Sequence, residues 1–281
     1  MGVRREARAA LTAAGLRPRR RWGQHFLCDP GVARRMVDTA EIGPESSVLE
    51  IGPGLGALTD VLAARAGHLY LVEIDPILAE RLRGRFGADP RVEVLTGDAL
   101  TLPLADLIRE PRATVVASLP YNVAIPILFR LLALRARLPR AVLMVQREVA
   151  ERLVAAPRSP DRGVTSVLVQ TFADVRLAFG VSRRSFLPPP RVESAVVDVR
   201  WSPAPRVDVG ITDVYQAAVR AAFGKRRKTL RNALAEFADR RGIDRAAVGG
   251  MLAASGIDPG ARAETLDLEA FARLARAFTA S

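Results

Sequence analysis

The sequence predicts an α/β fold in which a mostly parallel, doubly wound sheet with one antiparallel strand precedes a small all-α domain. Three observations lead to this prediction. Short apolar runs alternate with amphipathic helical patterns between about residues 46 and 146. Two more extended runs flank the proline-rich turn at 187–190. Beyond residue 205, apolar residues recur only with a helical period.

The predicted strands are short apolar runs, typical of strands that are buried on both faces of a parallel sheet. They lie at 48–51, 69–73, 92–95, 114–117 and 141–145, with closing strands at 175–179 and 194–201. The helices predicted between the first five strands lie at 58–65, 76–86 and 124–134. The second helix begins at Asp75 and Pro76, a capping residue and a first-turn proline. Strands that alternate with helices build a parallel sheet with right-handed crossovers.

The Ser-Pro-Ala-Pro stretch at 202–205 is the best candidate for a linker. It divides the chain into a first domain at 1–204, which includes a basic N-terminal arm at 1–22, and a second domain at 205–281. Helices are predicted in the second domain at 211–222, 227–240, 244–254 and 267–278. We therefore expect the second domain to be small and helical.

Composition excludes several classes of protein. No window approaches the roughly 18 uninterrupted apolar residues of a membrane span. The arginine-rich N-terminal residues lack the apolar region and cleavage site of a secretory signal. Cys28 is the only cysteine, so the chain can form neither an intrachain disulfide nor a cysteine metal cluster. No spacing of histidines and carboxylates suggests a metal site. We expect a cytoplasmic protein without a metal.

The net charge of +12 favours a polyanionic partner, because neutralising phosphates releases condensed counterions. Alternatively, the charge reflects only an arginine-rich composition, since nearly all of the basic residues are arginines in an alanine-rich chain. The distribution favours nucleic acid, because the basic residues form two clusters that contain no acids. These clusters contain Arg17, Arg19, Arg20 and Arg21, and then Arg220, Lys225, Arg226, Arg227, Lys228 and Arg231.

A glycine-rich turn follows the first predicted strand, at residues 50–56. Its glycines, Gly52, Gly54 and Gly56, would let backbone approach a ligand closely. The same kind of turn occurs in dinucleotide enzymes and in harmless tight turns, but the spacing differs from the pyrophosphate-binding pattern. Glu50 precedes the glycines, and a carboxylate there would repel a pyrophosphate. It would suit a cationic ligand such as a sulfonium or an amino acid ammonium.

Two more acids lie at the ends of the second and third predicted strands. Glu73 ends the second strand, where a carboxylate can bind both hydroxyls of a ribose. Asp98 follows the third strand, where it can accept a hydrogen bond from an adenine amino group. Each acid alone could instead be a helix cap or a solvated loop residue. Three acids after three successive strands favour one binding site at the same edge of the sheet.

The fourth predicted strand ends in Ser118-Leu119-Pro120-Tyr121. This sequence could be an ordinary turn with a packed tyrosine, or it could hold an exocyclic amine. In the second case the Ser118 side chain and a backbone carbonyl accept the two N–H bonds of the amine, while Tyr121 stacks on the base. Phe186 could stack on the other face of a base taken out of its helix, or it could belong to the core.

Seven segments in this order resemble the KsgA/RsmA family of small-subunit rRNA adenine dimethyltransferases, from about residue 20 to 275. The segments lie at 23–27, 50–56, 73, 97–99, 119–121, 186–192 and 223–230. The resemblance implies a Rossmann-like class I methyltransferase with a helical C-terminal domain. It implies transfer of two methyl groups from S-adenosylmethionine to each of two adjacent adenosines near the 3′ end of 16S rRNA, late in small-subunit assembly.

The resemblance also implies roles for individual residues. Gln24, His25 and Leu27 would lie against the methionine end of the donor, which Gly52 and Gly54 would approach by backbone. Glu73 would hold the ribose, and Asp98 would hold the adenine of the donor. The basic segment and the helical domain would grip rRNA, and nothing in the sequence demands more than a monomer.

One position departs from the family pattern, which has Asn where this chain has Ser118. The serine retains an acceptor oxygen, but its side chain is shorter than an amide and can also donate a hydrogen bond. Two other functions stay open at this point. One is a methyltransferase of large-subunit rRNA of the kind that confers antibiotic resistance. The other is an rRNA-binding assembly factor whose methylation is weak or lost.

Overall fold

A computed structural model describes residues 23–225 and 227–279 of the 281-residue chain. Arg19, Arg20, Arg21 and Arg226, which are predicted to bind RNA, lie outside these ranges. The described residues form two compact units. The first contains 23–150 and 174–203, and the second contains 151–173 and the described part of 204–279. None of the helices in the described ranges has the length and apolar character needed to cross a membrane.

The described chain contains nine strands, of which seven form one sheet in the order β4-β3-β2-β5-β6-β9-β7. In chain order, β1 to β9 are Phe26–Leu27, Ser47–Ile51, His68–Glu73, Val92–Thr96, Thr114–Ser118, Arg140–Gln146, Ala173–Val181, Phe186–Leu187 and Ser194–Trp201. Strands β2 to β6 are parallel to their neighbours, whereas β9 runs antiparallel to β6. β1 and β8 form a separate antiparallel pair in which Phe26 lies opposite Leu187. The predicted fold class is confirmed.

Eleven α-helices connect the strands or follow them in the described ranges. In chain order, α1 to α11 are Pro30–Ala40, Ala57–Ala63, Pro76–Phe86, Leu104–Leu107, Ala124–Ala133, Arg147–Val154, Val164–Phe172, Thr212–Phe223, Leu230–Asp239, Val248–Ala254 and Leu268–Ala277. All seven strands predicted for the main sheet are present, and their ends agree within two residues. No element was predicted at α1, α4 or α7, or at the short strands β1 and β8.

Two aspartates with following prolines set the start of helices near the sheet edge. The Asp29 side chain accepts hydrogen bonds from the N–H groups of Gly31 and Val32, at 2.9 and 3.3 Å, and caps α1. The Asp75 side chain accepts from the N–H of Ile77 at 3.0 Å and caps α3. Each cap precedes a proline in the first helical turn, where the missing N–H costs no hydrogen bond. These caps fix where the chain leaves the carboxyl ends of the strands.

The core of the first unit joins α1 to one face of the sheet. Met36 and Val37 of α1 are fully buried in one cluster with Val116, Val142 and Met144 of β5 and β6. Burial of aliphatic side chains is the main stabilising contribution in such a layer. It holds the strand ends that carry the polar residues in fixed positions.

The second unit is larger than the helical domain expected at 205–281, because residues 151–173 belong to it. In α7, Thr171 makes a hydrogen bond of 2.7 Å with the hydroxyl of Tyr215, which is completely buried in α8. The backbone carbonyl of Thr171 also accepts from the N–H of Arg206 at 2.8 Å. Arg162 is buried before α7 and donates to the carbonyl of Ala155 and to Gln170. These contacts tie 151–173 to the helices that follow.

Candidate active site

The turn between β2 and α2 brings bare backbone to the carboxyl end of the sheet. Gly52 and Gly54 have φ angles of +70° and +58°, a region that side chains rarely adopt. A Cβ atom at Gly54 would lie 2.9 Å from the ring of Phe26, so any side chain there would clash. At Gly52, by contrast, the nearest atom to such a Cβ is 3.9 Å away, on Pro120. The turn therefore forms a shallow cradle that a side chain at Gly52 would fill.

Glu73 connects this cradle to the next strand. It is buried at the end of β3, with only 3% of its surface exposed. One carboxylate oxygen accepts from the N–H of Gly54 and the other from the N–H of Asp75, both at 2.9 Å. Burial raises the pKa of Glu73, and these two N–H groups oppose the rise. Glu73 also lines the cleft that Gly52, Ser118 and Tyr121 border, so its carboxylate is placed to accept from ligand hydroxyls.

Glu50 differs in charge from the ionised carboxylate that the sequence predicted beside a cationic ligand. Its side chain is buried and accepts a hydrogen bond from the Thr59 hydroxyl at 2.8 Å. Burial raises the pKa of Glu50 to about 8, and the neighbouring acids Glu73 and Asp60 add to the rise. At pH 7 the residue is therefore a neutral acid. It lies in the wall of a small cavity together with Gly52, Gly54 and Ser118.

Asp98 lies in the cleft beside an apolar slot. One of its oxygens accepts from the N–H of Leu100 at 2.8 Å, which fixes the loop after β4. The slot is lined by the apolar side chains of Ile74, Val123 and Ile127, among others, and has a cavity volume of about 320 Å³. A flat ring with a polar edge fits a slot of this kind, because most of the lining is apolar and a carboxylate contributes to it.

The end of β5 places Ser118 and Tyr121 on the other side of the glycine turn. Ser118 is half-buried, and its hydroxyl makes no hydrogen bond within the described part of the chain. The Tyr121 hydroxyl lies 2.6 Å from the hydroxyl of Ser194, which is completely buried in β9. The His25 ring stacks against Tyr121 with the ring centroids 5.7 Å apart. The tyrosine ring is thus held at its hydroxyl and along one face.

The segment before α1 closes the cleft. The Nδ1 atom of His25 lies 2.8 Å from the carbonyl oxygen of Pro188, which fixes Nδ1 as the protonated nitrogen. Gln24 donates to the Asp75 carboxylate at 3.4 Å, a long hydrogen bond. Leu27 is buried in the core cluster and also contributes to the small cavity beside Glu50. His25 and Gln24 line the cleft directly.

Phe186 lies deeper than a stacking residue would. Only 1% of its surface is exposed, and its side chain belongs to the same core cluster as Met36 and Met144. Phe186 also contributes to the wall of the cleft. The position agrees with the core interpretation that the sequence left open, since a fully covered ring offers almost no surface to a base.

Sequence reasoning missed several residues that line the cleft. Ile74 follows Glu73, has 38% of its surface exposed and lines the cleft. Asn122 follows Tyr121 and lines the slot beside Asp98. Gln146 ends β6 and lines the same cleft as Tyr121. Only their positions at strand ends could have indicated them.

The predicted basic cluster lies in the second unit. Arg220, Lys225, Arg227, Lys228 and Arg231 are all exposed, in α8, in α9 and in the segment between them. Lys225 forms an ion pair of 3.5 Å with Glu236. Both side chains are exposed, so this ion pair is weak. The cluster offers accessible positive charge to a polyanion.

The family model described as "Ribosomal RNA adenine dimethylase" matches residues 15–279. A ribosomal RNA small subunit methyltransferase A of Geobacter sulfurreducens is 43% identical over 270 residues, which cover 95% of this chain and 97% of that protein. The protein of the same name from Nocardia farcinica is 45% identical over 279 residues, which cover 96% and 93%.

Two solved structures extend the likeness to the fold. A dimethyladenosine transferase from Plasmodium falciparum has a TM-score of 0.75 at 25% identity, covering 89% of this chain and 96% of that one. The 23S rRNA methyltransferase ErmE has a TM-score of 0.66 at 29% identity, covering 90% and 99%. The chain belongs to the ribosomal RNA adenine dimethylase family.

Proposed function

We propose that this enzyme transfers methyl groups from S-adenosylmethionine to N6 of two adjacent adenosines near the 3′ end of 16S rRNA in the small ribosomal subunit. The products are N6,N6-dimethyladenosine and S-adenosylhomocysteine. The enzyme would act as a monomer in the cytoplasm, late in subunit assembly. The observation that carries the proposal is the cleft, in which a glycine cradle, Glu73, Asp98 and the Ser118–Tyr121 segment meet at one sheet edge. The small-subunit assignment rests on relatives that cover nearly the whole chain.

The residues of the cleft fit the donor. The left-handed turn at Gly52 and Gly54 leaves space for the methionine portion, which Gln24 and His25 border. The Glu73 carboxylate in the wall of the cleft suits the two ribose hydroxyls, and Asp98 in the lining of the apolar slot suits the adenine amino group. The bound donor supplies a methyl group that its sulfonium already activates.

Ser118 and the backbone beside it orient the acceptor amine. Its hydroxyl oxygen and the carbonyl of Leu119 accept the two N–H bonds of N6, which takes the nitrogen lone pair out of conjugation with the ring. With the donor held by the cradle, Glu73 and Asp98, this lone pair would form the new N–C bond, and the electrons of the broken S–C bond would stay on the sulfur of the donor. The positive charge that develops on N6 is stabilised by the same two oxygens, and its proton is then lost to water. His25 is not needed as a base.

Tyr121 holds the plane of the acceptor base. Its hydroxyl is fixed by Ser194 and one ring face is covered by His25, so the remaining face is presented in a single orientation. Stacking on a fixed aromatic ring suits a base that has been taken out of its helix. The exposed cations Lys225, Arg227, Lys228 and Arg231 would bind rRNA phosphates in a salt-dependent way.

Labelled S-adenosylmethionine, incubated with unmethylated small subunits, tests the proposal when the modified nucleosides are identified. We expect N6,N6-dimethyladenosine in the small-subunit rRNA and none in matched large subunits. Label in the large subunit instead would favour the function of the ErmE type. Binding of small subunits without any methylated product would favour the assembly-factor function.

A further inference from the structure

Gln146 lies at the carboxyl end of β6 and shares a sheet face with Ser118. Side chains alternate along a strand, so Gln146 points to the same side as Met144. Ser118 of β5 lies opposite Met144 in the parallel register, and the Leu119 N–H donates to the Met144 carbonyl at 3.1 Å. Gln146 therefore lies on the same face of the sheet as Ser118, two residues beyond Met144, with which Ser118 pairs.

The antiparallel neighbour of Gln146 is the residue that holds the tyrosine. Ser194 of β9 lies directly opposite Gln146 in the register with β6. Side chains at opposed positions of an antiparallel pair start about 5 Å apart. The Ser194 hydroxyl lies 2.6 Å from the Tyr121 hydroxyl, so the Gln146 side chain begins next to the polar end of the proposed stacking ring.

The Gln146 amide lines the cleft without a partner of its own. It borders the same cavity as His25, Tyr121, Pro188 and Arg191. The side chain is half-buried, and within residues 23–225 and 227–279 its amide makes no hydrogen bond. A base that entered this cavity would displace the water around the amide. The amide would then need a partner on the base, because a buried polar group without one is costly.

We propose that Gln146 positions the acceptor adenine by donating a hydrogen bond to a ring nitrogen next to the amine, either N1 or N7. The inference rests on the proposed function. Both ring nitrogens are acceptors, and an amide N–H₂ group is a suitable donor for either. The contact differs from those at Ser118 and Leu119, because the ring nitrogens are unchanged by methylation of N6.

This difference makes Gln146 most important for the second methyl transfer. Unmodified adenine offers two N–H bonds on N6 to the acceptors at Ser118 and Leu119. N6-methyladenine offers only one, so half of the amine contacts are gone when the second transfer begins. The hydrogen bond between Gln146 and the ring nitrogen then contributes more to the orientation of the base.

The variants Gln146→Met and Gln146→Glu test this assignment. Methionine keeps the side-chain length without a hydrogen-bond donor, and glutamate keeps an acceptor but removes the donor. Single-turnover methylation of unmethylated small subunits, followed by nucleoside analysis, separates the two transfers. For both variants we expect the second transfer to slow about tenfold and the first transfer to slow less. N6-methyladenosine should accumulate while the donor affinity and the melting temperature stay unchanged.

Glu45→Gln, at an exposed position of the first unit outside the cleft, is the control and should behave like the wild type. Equal slowing of both transfers, or wild-type kinetics for Gln146→Glu, would overturn the assignment. So would a loss of donor affinity with a lower melting temperature, because that combination indicates a structural role. If the wild type itself forms no dimethyladenosine, the proposed function fails. If it does and the variants match it, only the role of Gln146 fails.

Discussion

The buried, neutral side chain of Glu50 should make the free energy of unfolding depend on pH by a predictable amount. The pKa of Glu50 is about 8 in the folded protein, compared with 4.5 for an ordinary glutamate. Between these values the native state keeps the proton while the unfolded chain loses it. The free energy of unfolding therefore falls as the pH rises from 4.5 to about 8. At about 1.4 kcal/mol per pH unit, Glu50 lowers it by about 2.5 kcal/mol between pH 5 and pH 7.

Urea unfolding of the wild type and of Glu50→Gln at pH 5, 6 and 7 measures this contribution. The amide oxygen can still accept from Thr59, but the side chain no longer titrates. The stability of the variant relative to the wild type should rise by about 2.5 kcal/mol from pH 5 to pH 7. Glu45→Gln, at an exposed position, is the control for the loss of a carboxylate. A flat difference for Glu50→Gln would refute the neutral state of this acid.

Four further predictions concern the donor site, the acceptor site and the RNA. Glu73→Ala should weaken donor binding by tenfold or more, on the order of one lost charged hydrogen bond, and leave RNA binding unchanged; equal losses of both would contradict its role. Ser118→Ala should lower kcat by roughly tenfold to a hundredfold with unchanged donor affinity, and Ser118→Asn should retain activity; full activity of the alanine variant would remove Ser118 from the mechanism. Arg130 donates to the carbonyls of Leu100 and Leu102 in the Asp98 loop. Arg130→Met should therefore raise the donor Kd severalfold in a direct binding assay. An unchanged Kd would show that the loop keeps its conformation without Arg130. Joint replacement of four cations should weaken small-subunit binding; these cations are Lys225, Arg226, Arg227 and Lys228. The slope of log affinity against log salt concentration should fall by about one counterion per lost phosphate contact. An unchanged slope would mean that the RNA binds to another surface.

Local patterns were sufficient for most of the fold. The seven main strands were predictable because runs buried on both faces are apolar throughout, and their ends carry the polar residues of the site. The helix Pro30–Ala40 was missed although Asp29 and Pro30 form the same start signal as Asp75 and Pro76. The helix Val164–Phe172 begins after Gly163, which has no side chain to cap it, so its start carries no comparable signal.

The candidate site was predictable where a residue type and a strand end coincide. Glu73 and Asp98 carry such a signal, because acids are uncommon at the end of an apolar run. The neutral state of Glu50 and the burial of Phe186 depend on neighbours that are distant in sequence, such as Met36 near Phe186. Gln146 was missed because its significance comes from the register with Ser194, which no local pattern shows.

The pairing of β1 with β8 has a consequence for the order in which the site forms during synthesis. Phe26 lies opposite Leu187, so the segment that carries Gln24 and His25 meets its partner strand only after most of the catalytic unit has been made. The glycine turn, Glu73 and Asp98 belong to the parallel strands that emerge much earlier. Domains generally fold as units, so the cleft is complete only once the chain has been made beyond Leu187. The wall that carries Gln24 and His25 then forms by the closing of a loop of about 160 residues.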